Sequence, residues 1–258
     1  MQTSSSLTPE TTIAIVGAGR LGRVLARALR AAELDVIGPL GREERIPDVD
    51  VVLLCVPDAA IAAAAIVARP HARFLGHVSG ATPLTDMDFS LHPLQTFTGA
   101  EPIEAFNGIG AAIAGRTDEA REVAEQLAVA LGARAFEVGD AHRAAYHAAA
   151  SFASNFVLTV LDSAESLASA AGIPHDDARA LLGPLVRQTV ENWETSGAAG
   201  ALTGPIARGD EATVARQRAA ASELELQDLF DALAEATRKI AAAPGTARPI
   251  SASEEPFA

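Results

Sequence analysis

The sequence predicts an α/β protein, in which a doubly wound, mostly parallel sheet is followed by an all-helical C-terminal region. Two observations carry this prediction. Short β-branched segments alternate with helical segments up to about residue 139, which is typical of a parallel sheet covered by helices. No strand pattern recurs after that point. We therefore predict a disordered tail at 1–11, a sheet domain at 12–139, a helical domain at 140–243 and a second tail at 244–258.

The individual elements follow from the local patterns. Strands are predicted at 12–16, 35–37, 51–56, 74–78, 90–91, 110–114 and 134–138, and helices between them at 20–32, 59–68 and 117–131. The second half is predicted to begin with one helix over 140–171, since no proline or glycine interrupts that stretch. Helices over 176–196 and 210–242 follow, the latter with room for a break, and Asp210 is expected to cap the last one.

Composition excludes several classes of function. The 258 residues carry 20 Lys and Arg against 33 Asp and Glu, and this net charge of −13 repels nucleic-acid phosphates. A single cysteine, Cys55, excludes an internal disulfide, and no Cys or His spacing is typical of a metal site. The apolar run at 59–68 is too short to cross a bilayer, and the first ten residues lack signal-peptide features. We expect a cytoplasmic protein with no metal, nucleic-acid or membrane partner.

A glycine motif, GAGRLG at 17–22, follows the first predicted strand and opens a helix. This is typical of a Rossmann dinucleotide site. The first glycine permits the tight turn, the second lets the backbone approach a pyrophosphate, and the third allows close helix–strand packing. A structural turn that binds nothing is the alternative. The predicted cofactor-binding residues here are Gly17, Ala18, Gly19, Arg20, Leu21 and Gly22.

The tip of the second predicted strand favours NADP over NAD. NAD sites carry an acidic residue about 20 positions after the motif, whereas IGPLGR at 37–42 has no acid before Arg42. An arginine at this place can pair with the 2′-phosphate of NADP. The neighbouring Glu43 and Glu44 keep a solvated loop charge as the alternative.

Further candidates lie at the tips of later strands, because carboxyl ends of parallel strands face one crevice. Val56 and Pro57 are expected beside the cofactor, and Ser79 is expected beside the cofactor and the substrate. His92 is a candidate proton carrier, since imidazole titrates near neutral pH. The alternative for His92 is a histidine that merely hydrogen-bonds a turn.

The first C-terminal helix is predicted to carry a polar stripe. His147, Ser151 and Asn155 are spaced i, i+4 and i+8, so they share one face of that helix and are predicted, with His92, to be catalytic. Buried structural hydrogen bonding is the alternative. The predicted substrate-binding residues are Ser79, Tyr146, Thr203 and Arg208. Arg208 would clamp a substrate carboxylate, or else pair with a neighbouring acid.

Six motifs together resemble an uncharacterised bacterial family of Rossmann-like proteins with a helical C-terminal domain of unknown function: GAGRLG, LLCVPD, VSGA, LHPLQTF, YHAAASFASN and LTGPIARGD. That family is similar to pyrroline-5-carboxylate reductase, 6-phosphogluconate dehydrogenase and prephenate dehydrogenase. The resemblance implies a 6-phosphogluconate dehydrogenase-like architecture with a helical dimerisation domain and an interdomain active site. It also implies a catalytic His92 in a His-Pro motif and a substrate loop at 203–210 contributed across a homodimer.

One residue departs from these relatives. Hydroxyacid dehydrogenases use a lysine four residues before the asparagine that matches Asn155, and Ser151 stands there in this chain. Because the only lysine is Lys239, the proton would have to come from His92, His147, Tyr146 or water. We predict an NADP-dependent oxidoreductase that acts on a small keto, imino or hydroxy acid. The alternative is a non-catalytic NADP(H)-binding regulatory or sensor protein.

Overall fold

The computed structural model describes residues 7, 8 and 10–243. Within them the chain forms two compact units, the first ending at Asn155 and the second beginning at Phe156. This division falls later than the predicted boundary near residue 139. The first helix after that point is hydrogen-bonded to the sheet through Arg143 and Tyr146, so it belongs to the first unit. The predicted tails lie mostly outside the described residues, although Leu7 packs on the core and its N–H donates to Gln126 Oε1.

The first unit is built on a seven-stranded sheet, and every predicted strand is present. Its strands are β1 (Thr12–Val16), β2 (Asp35–Leu40), β3 (Val49–Leu54), β4 (Ala72–His77), β5 (Phe89–Pro93), β6 (Gly110–Gly115) and β7 (Arg134–Glu137). The order is β2-β1-β3-β4-β5-β6-β7, and all neighbours are parallel except β5 and β6. The chain therefore reverses its winding direction at β1, and the doubly wound, mostly parallel sheet is confirmed.

Helices cover both faces of this sheet. They are α1 (Arg20–Ala31), α2 (Asp58–Ala68) and α3 (Asp118–Ala130), close to the predicted spans. Because side chains alternate along a strand, Ile13 and Ile15 of β1 point into one apolar core with α1 and α3, while Ala14 points into a second core with α2. Burial on both faces explains why these strands read as nearly continuous apolar runs in the sequence.

The single helix predicted over 140–171 is wrong. After a short 3₁₀ turn, Asp140–His142, the chain forms α4 (Arg143–Ala153) and α5 (Asn155–Ala170). Between them Ser154 leaves helical geometry with φ −132° and ψ −78°. Its hydroxyl donates to the Ala150 carbonyl at 2.7 Å, a side-chain bond that competes with the helix backbone and bends helices.

The second unit continues with helices that match the prediction more closely. They are α6 (His175–Ala201), interrupted at Gly197 by a φ of +67°, then α7 (Pro205–Arg208), α8 (Glu211–Ser222) and α9 (Gln227–Ala241). The predicted break between 210 and 242 thus lies between α8 and α9. Asp210 caps α8, since its carboxylate accepts a bond from the Thr213 N–H at 3.0 Å.

One stretch of the described chain, Asp140–Ala170, is long and apolar enough by length and composition to cross a membrane. It is longer than the apolar run recognised in the sequence at 59–68. The stretch contains the break at Ser154, and it carries the charged side chains of Arg143 and Glu165, which are paired with Asp140 and Arg179. Buried core helices of soluble proteins meet the same two criteria, but no residue of the apolar window in this stretch is buried.

Candidate functional site

The turn after β1 lies where the sheet reverses its winding direction. The Gly17 N–H donates to the Leu40 carbonyl at the end of β2, and the Cys55 N–H, just after β3, donates to the Val16 carbonyl. The turn is thereby held between the carboxyl ends of two neighbouring strands. Ligands of open α/β sheets bind at this kind of switch point.

The three glycines of this turn differ in what surrounds them. Gly17 has a φ of +116°, and a Cβ there would lie 2.3 Å from the Cys55 carbonyl oxygen. A Cβ at Gly22 would lie 2.0 Å from the Gly17 carbonyl oxygen, so this glycine is required for helix–turn packing. At Gly19, in contrast, a Cβ would meet nothing within 4 Å. The protein leaves space next to the Gly19 backbone, which a cofactor pyrophosphate requires.

The N-terminus of α1 faces this turn with its backbone donors uncapped. Gly19 is the N-cap residue, no side chain caps the helix, and its first turn contains no acidic residue. Unpaired N–H groups and the helix dipole make such an end a site for anions. Of the other predicted residues, Arg20 is exposed, Leu21 packs against the apolar core, and the Ala18 carbonyl accepts a bond from Arg23 Nε at 2.8 Å.

Arg42 lies in an exposed turn directly after β2. The neighbouring Glu44 is engaged, because its carboxylate accepts the Gly41 N–H at 2.6 Å and closes the turn. Arg45 is exposed in the same turn and was not recognised in the sequence. Two exposed arginines therefore follow the strand whose end holds the glycine turn.

Val56 and Pro57 follow β3 on the other side of the glycine turn. A Cβ at Gly17 would lie 3.2 Å from Val56 Cγ1, and Pro57 is the exposed N-cap residue of α2. Both predicted residues thus border the switch point.

The ends of β4 and β5 bring Ser79 and His92 into one neighbourhood. The strands pair in parallel with His77 opposite Ser90, and Gly80 lies against the His92 ring, where a Cβ would be 3.0 Å from Nε2. Ser79 is 7% exposed, and its hydroxyl accepts bonds from the Ala81 and Thr82 N–H groups. The Ser79 side chain therefore shapes the loop after β4.

His92 forms a hydrogen bond with Tyr146 of α4. Its Nδ1 lies 2.6 Å from the Tyr146 hydroxyl, with the two rings perpendicular at 5.5 Å, and the His147 ring is 6.5 Å away. Burial lowers the pKa of His92 to about 4, and the charges of His147 and Arg143 act in the same direction. Burial raises the pKa of Tyr146 to about 12. Both groups are consequently neutral near pH 7.

Arg143, a residue that sequence reasoning missed, fastens α4 to the sheet. It is 4% exposed, and it donates to Asp140 Oδ1 at 2.7 Å, to Ser90 Oγ at 2.6 Å and to the Ser79 carbonyl at 3.4 Å. Burial opposes charge on Asp140, but bonds from Arg143 and the Leu84 N–H outweigh it and lower the pKa of that carboxyl. This network sets where Tyr146, one helical turn later, meets His92.

His77 is fully buried beside this network. Its Nδ1 accepts the Ser79 N–H at 3.1 Å. Burial, together with the charge of Arg143, lowers the pKa of His77 to about 4. His77 is thus a neutral structural histidine beneath the loop that carries Ser79 and Gly80.

The predicted polar stripe is only partly realised. His147 and Ser151 lie on α4, but the break at Ser154 separates them from Asn155, the first residue of α5, so the i, i+8 alignment is wrong. Thr203 and Arg208 belong to the second unit, where α7 carries Arg208 in its last turn. Their contact with a substrate stays a prediction.

Within residues 7–8 and 10–243 no cluster of three or more His, Cys, Asp or Glu side chains could hold a metal ion.

A family model described as a domain of unknown function (DUF2520) matches residues 109–237. The chain belongs to this family. The resemblance to an uncharacterised Rossmann-like family with a helical C-terminal domain is thereby confirmed. The matched segment of this DUF2520 protein contains Arg143, Tyr146 and His147 of α4 as well as α5 to α8. No curated protein sequence matches the chain.

Solved structures share the fold of this DUF2520 protein. A Bacteroides fragilis protein, provisionally assigned as an NADP oxidoreductase, is 20% identical with a TM-score of 0.75, over 90% of this chain and 99% of its own. A Thermotoga maritima protein is 22% identical with a TM-score of 0.70, over 89% and 98%. Pyrroline carboxylate reductase from Plasmodium falciparum, solved with NADP bound, is 11% identical with a TM-score of 0.59, over 91% and 99%. At these identities the likeness establishes the Rossmann-type sheet and helical C-terminal region, and nothing finer.

Proposed function

We propose that this protein is an NADPH-dependent oxidoreductase that transfers hydride between NADPH and a small keto, imino or hydroxy acid. The observation that carries the proposal is the glycine turn at the switch point of the sheet. Gly17 and Gly22 are enclosed by backbone, while the Gly19 position is open beside an uncapped helix N-terminus. The Bacteroides and Plasmodium proteins, whose names or bound ligand include NADP, support the choice of cofactor.

The cofactor would be held mainly by backbone and arginine. The N–H groups at the start of α1 would bind the pyrophosphate, and Arg42 would pair with the 2′-phosphate. NAD is less favoured, because Arg42 precedes the first carboxylates after β2, Glu43 and Glu44, and Glu44 already accepts the Gly41 N–H. When bound, NADPH supplies the hydride.

His92 and the side chains around it would orient the substrate and move its proton. Nδ1 of His92 is bonded to Tyr146, so Nε2 is the atom left to face a substrate oxygen or nitrogen. His147 and Ser151 on α4 and Asn155 beyond it remain candidates for this role. Ser79 remains a candidate for binding the cofactor and the substrate. With Ser151 in place of the relatives' lysine, we assign the reacting hydrogen bond to His92 or His147.

The second unit would supply the groups that recognise the substrate carboxylate and the homodimer contact. Thr203 and Arg208 are the proposed carboxylate ligands. Large apolar side chains on α6 are left exposed within the described chain, with Leu181 63%, Leu185 65% and Trp193 56% exposed. Burying such side chains in a second copy removes apolar surface from water, which favours a homodimer through the helical region. We place the protein in the cytoplasm as a soluble enzyme.

Cofactor titrations test the binding site. NADPH and NADH are titrated into the wild type, Gly19→Ala and Arg42→Ala by calorimetry. Gly19→Ala should weaken both cofactors about tenfold or more, because its methyl group fills the open space beside the backbone. Arg42→Ala should weaken NADPH about tenfold and leave NADH unchanged, since only NADPH carries the 2′-phosphate. Equal NADPH binding by all three proteins would refute the site.

Turnover tests the reaction. The wild type is assayed with NADPH and a panel of keto and imino acids, and with NADP and hydroxy acids for the reverse direction. His92→Ala should lower kcat by about 10²- to 10⁴-fold while NADPH affinity is retained. Tight NADPH binding without turnover on any substrate class would instead support the non-catalytic sensor.

A further inference from the structure

We infer that Tyr146 is a positioning residue that holds His92 in the tautomer with its proton on Nε2. The inference deepens the proposed function, because it specifies what His92 offers to a substrate. It rests on a hydrogen bond between two segments 54 residues apart in the sequence.

The first step is the contact itself. His92 Nδ1 and the Tyr146 hydroxyl oxygen are 2.6 Å apart, a short hydrogen bond. Nδ1 therefore has a protein partner, and among the described residues Nε2 has no hydrogen-bond partner. Nδ1 and Nε2 of one imidazole thus face different surroundings, which is the condition that fixes a tautomer.

The second step decides which group donates. The Tyr146 phenol is neutral, with a pKa raised to about 12 by burial, and the His92 imidazole is neutral near pH 7. A phenol O–H is a stronger hydrogen-bond donor than the N–H of a neutral imidazole, and an imidazole nitrogen is a stronger acceptor than a phenol oxygen. The Tyr146 hydroxyl therefore donates, and Nδ1 of His92 is the acceptor. A neutral imidazole with Nδ1 as acceptor carries its proton on Nε2.

The third step is the fixed orientation of both rings. The Tyr146 ring is held edge-on to Phe136 at 5.9 Å, and Gly80 lies against the other ring, that of His92. The charged or titratable groups that act on His92 are His147, Asp58 and Arg143, of which only Asp58 favours the imidazolium. The surroundings thus favour a neutral ring held in one place.

The consequence concerns the type of catalysis. A neutral imidazole with an Nε2 proton is a hydrogen-bond donor that polarises a carbonyl or imine, and it is a much weaker acid than imidazolium. His92 would accordingly stabilise charge that develops on the substrate oxygen or nitrogen. Tyr146, predicted from the sequence to bind the substrate, would instead act through its hydrogen bond to His92. A reductase that lacks the relatives' lysine needs such a donor.

Nitrogen NMR of the protein without cofactor tests the inference. The protein is labelled with ¹⁵N in its histidines, and two-bond ¹⁵N–¹H spectra at pH 7 distinguish the two tautomers of each ring. The His92 signals are assigned by their loss in His92→Ala. In the wild type we expect the Nε2–H form, and in Tyr146→Phe we expect a mixture of both forms. A wild type in the Nδ1–H form, or an unchanged tautomer in Tyr146→Phe, would overturn the inference.

Phe136→Leu is the matched control, because it removes the ring packed on Tyr146 but leaves the hydroxyl in place. His92 should keep its Nε2–H form in this variant. That result would show that the tautomer depends on the hydrogen bond and not on the packing of the Tyr146 ring. Since these spectra need neither cofactor nor substrate, they can support the tautomer even if the titrations refute NADPH binding. If turnover is found, Tyr146→Phe should lower kcat about tenfold with little change in KM.

Discussion

The glycine turn after β1 and the polar cluster around His92 lie at strand ends of the same sheet, but they are built in opposite ways. The turn is one contiguous backbone segment. Its glycines lack a Cβ, which allows close backbone packing at Gly17 and Gly22 and leaves open space at Gly19. The cluster uses side chains from β5, the loop after β4 and α4, joined by bonds such as Arg143 to Ser90 and Tyr146 to His92. A site of the first kind is recognisable in the sequence as one contiguous motif, whereas a site of the second kind is present only as scattered residues whose mutual contacts the sequence does not give.

The largest loss of stability is expected for a substitution of Gly22 in the glycine turn. We expect Gly22→Ala to lower the free energy of unfolding by about 3 kcal/mol or more. The new Cβ would lie 2.0 Å from the Gly17 carbonyl oxygen, which belongs to the backbone and cannot move aside as a flexible side chain could. Urea unfolding measures the change. Gly19→Ala is the control. The space around Gly19 admits the methyl group, so we expect a loss of only about 1 kcal/mol or less, because alanine is a poorer N-cap residue than glycine. Similar losses in both variants would contradict the distinction between the two glycines.

In the side-chain cluster the largest effect is expected at Arg143. Replacing it by methionine leaves Asp140 and Ser90 without their buried donor, which should cost about 2–3 kcal/mol in urea unfolding. Arg121→Met is the control, since Arg121 pairs with Glu125 at the surface and exposed pairs contribute about 1 kcal/mol or less. If the two arginine variants were equally stable, Arg143 would not be the fastening point of α4.

A smaller effect is expected on how the free energy of unfolding depends on pH, through the buried His77. The folded pKa of His77 is about 4 against 6.5 as the reference, so between these values the unfolded chain binds the proton and the folded chain does not. Stability should thus fall on acidification through this window. From pH 7 to pH 5 the contribution of His77 is about 2 kcal/mol.

His77→Asn tests this, because the asparagine oxygen can still accept the Ser79 N–H. Urea unfolding at pH 7 and pH 5 should show a smaller loss of stability in this variant than in the wild type. The same loss in both proteins would mean that His77 is not held neutral by the fold.

Much of the first unit was predictable from the sequence. Strands buried on both faces read as β-branched runs, and each glycine of the motif at 17–22 has the surroundings that its predicted role requires. The His92 and Ser79 tips were expected in one crevice, and the parallel pairing of β4 and β5 brings them together. The roles of these residues in catalysis and substrate binding remain predictions.

Other features could not be read from the chain. The helix break at Ser154 could not be predicted, because no proline or glycine lies there. The Ser154 hydroxyl instead donates a hydrogen bond to the Ala150 carbonyl. Arg143 looked like any of the abundant arginines, since only burial distinguishes it from a surface charge. Its importance depends on Ser90 and Ser79, more than 50 residues earlier.

The sequence by itself determined the alternation of strands and helices, the glycine turn and the absence of a lysine near Asn155. These are local properties, since periodicity, turn geometry and residue inventory need no knowledge of distant neighbours. Only the tertiary structure decided which imidazole nitrogen of His92 is bonded, which arginine is buried and where the helix after residue 140 breaks. Protonation, burial and hydrogen-bond partners are fixed by groups far apart in the chain, and folding is what brings those groups within a few ångströms of each other.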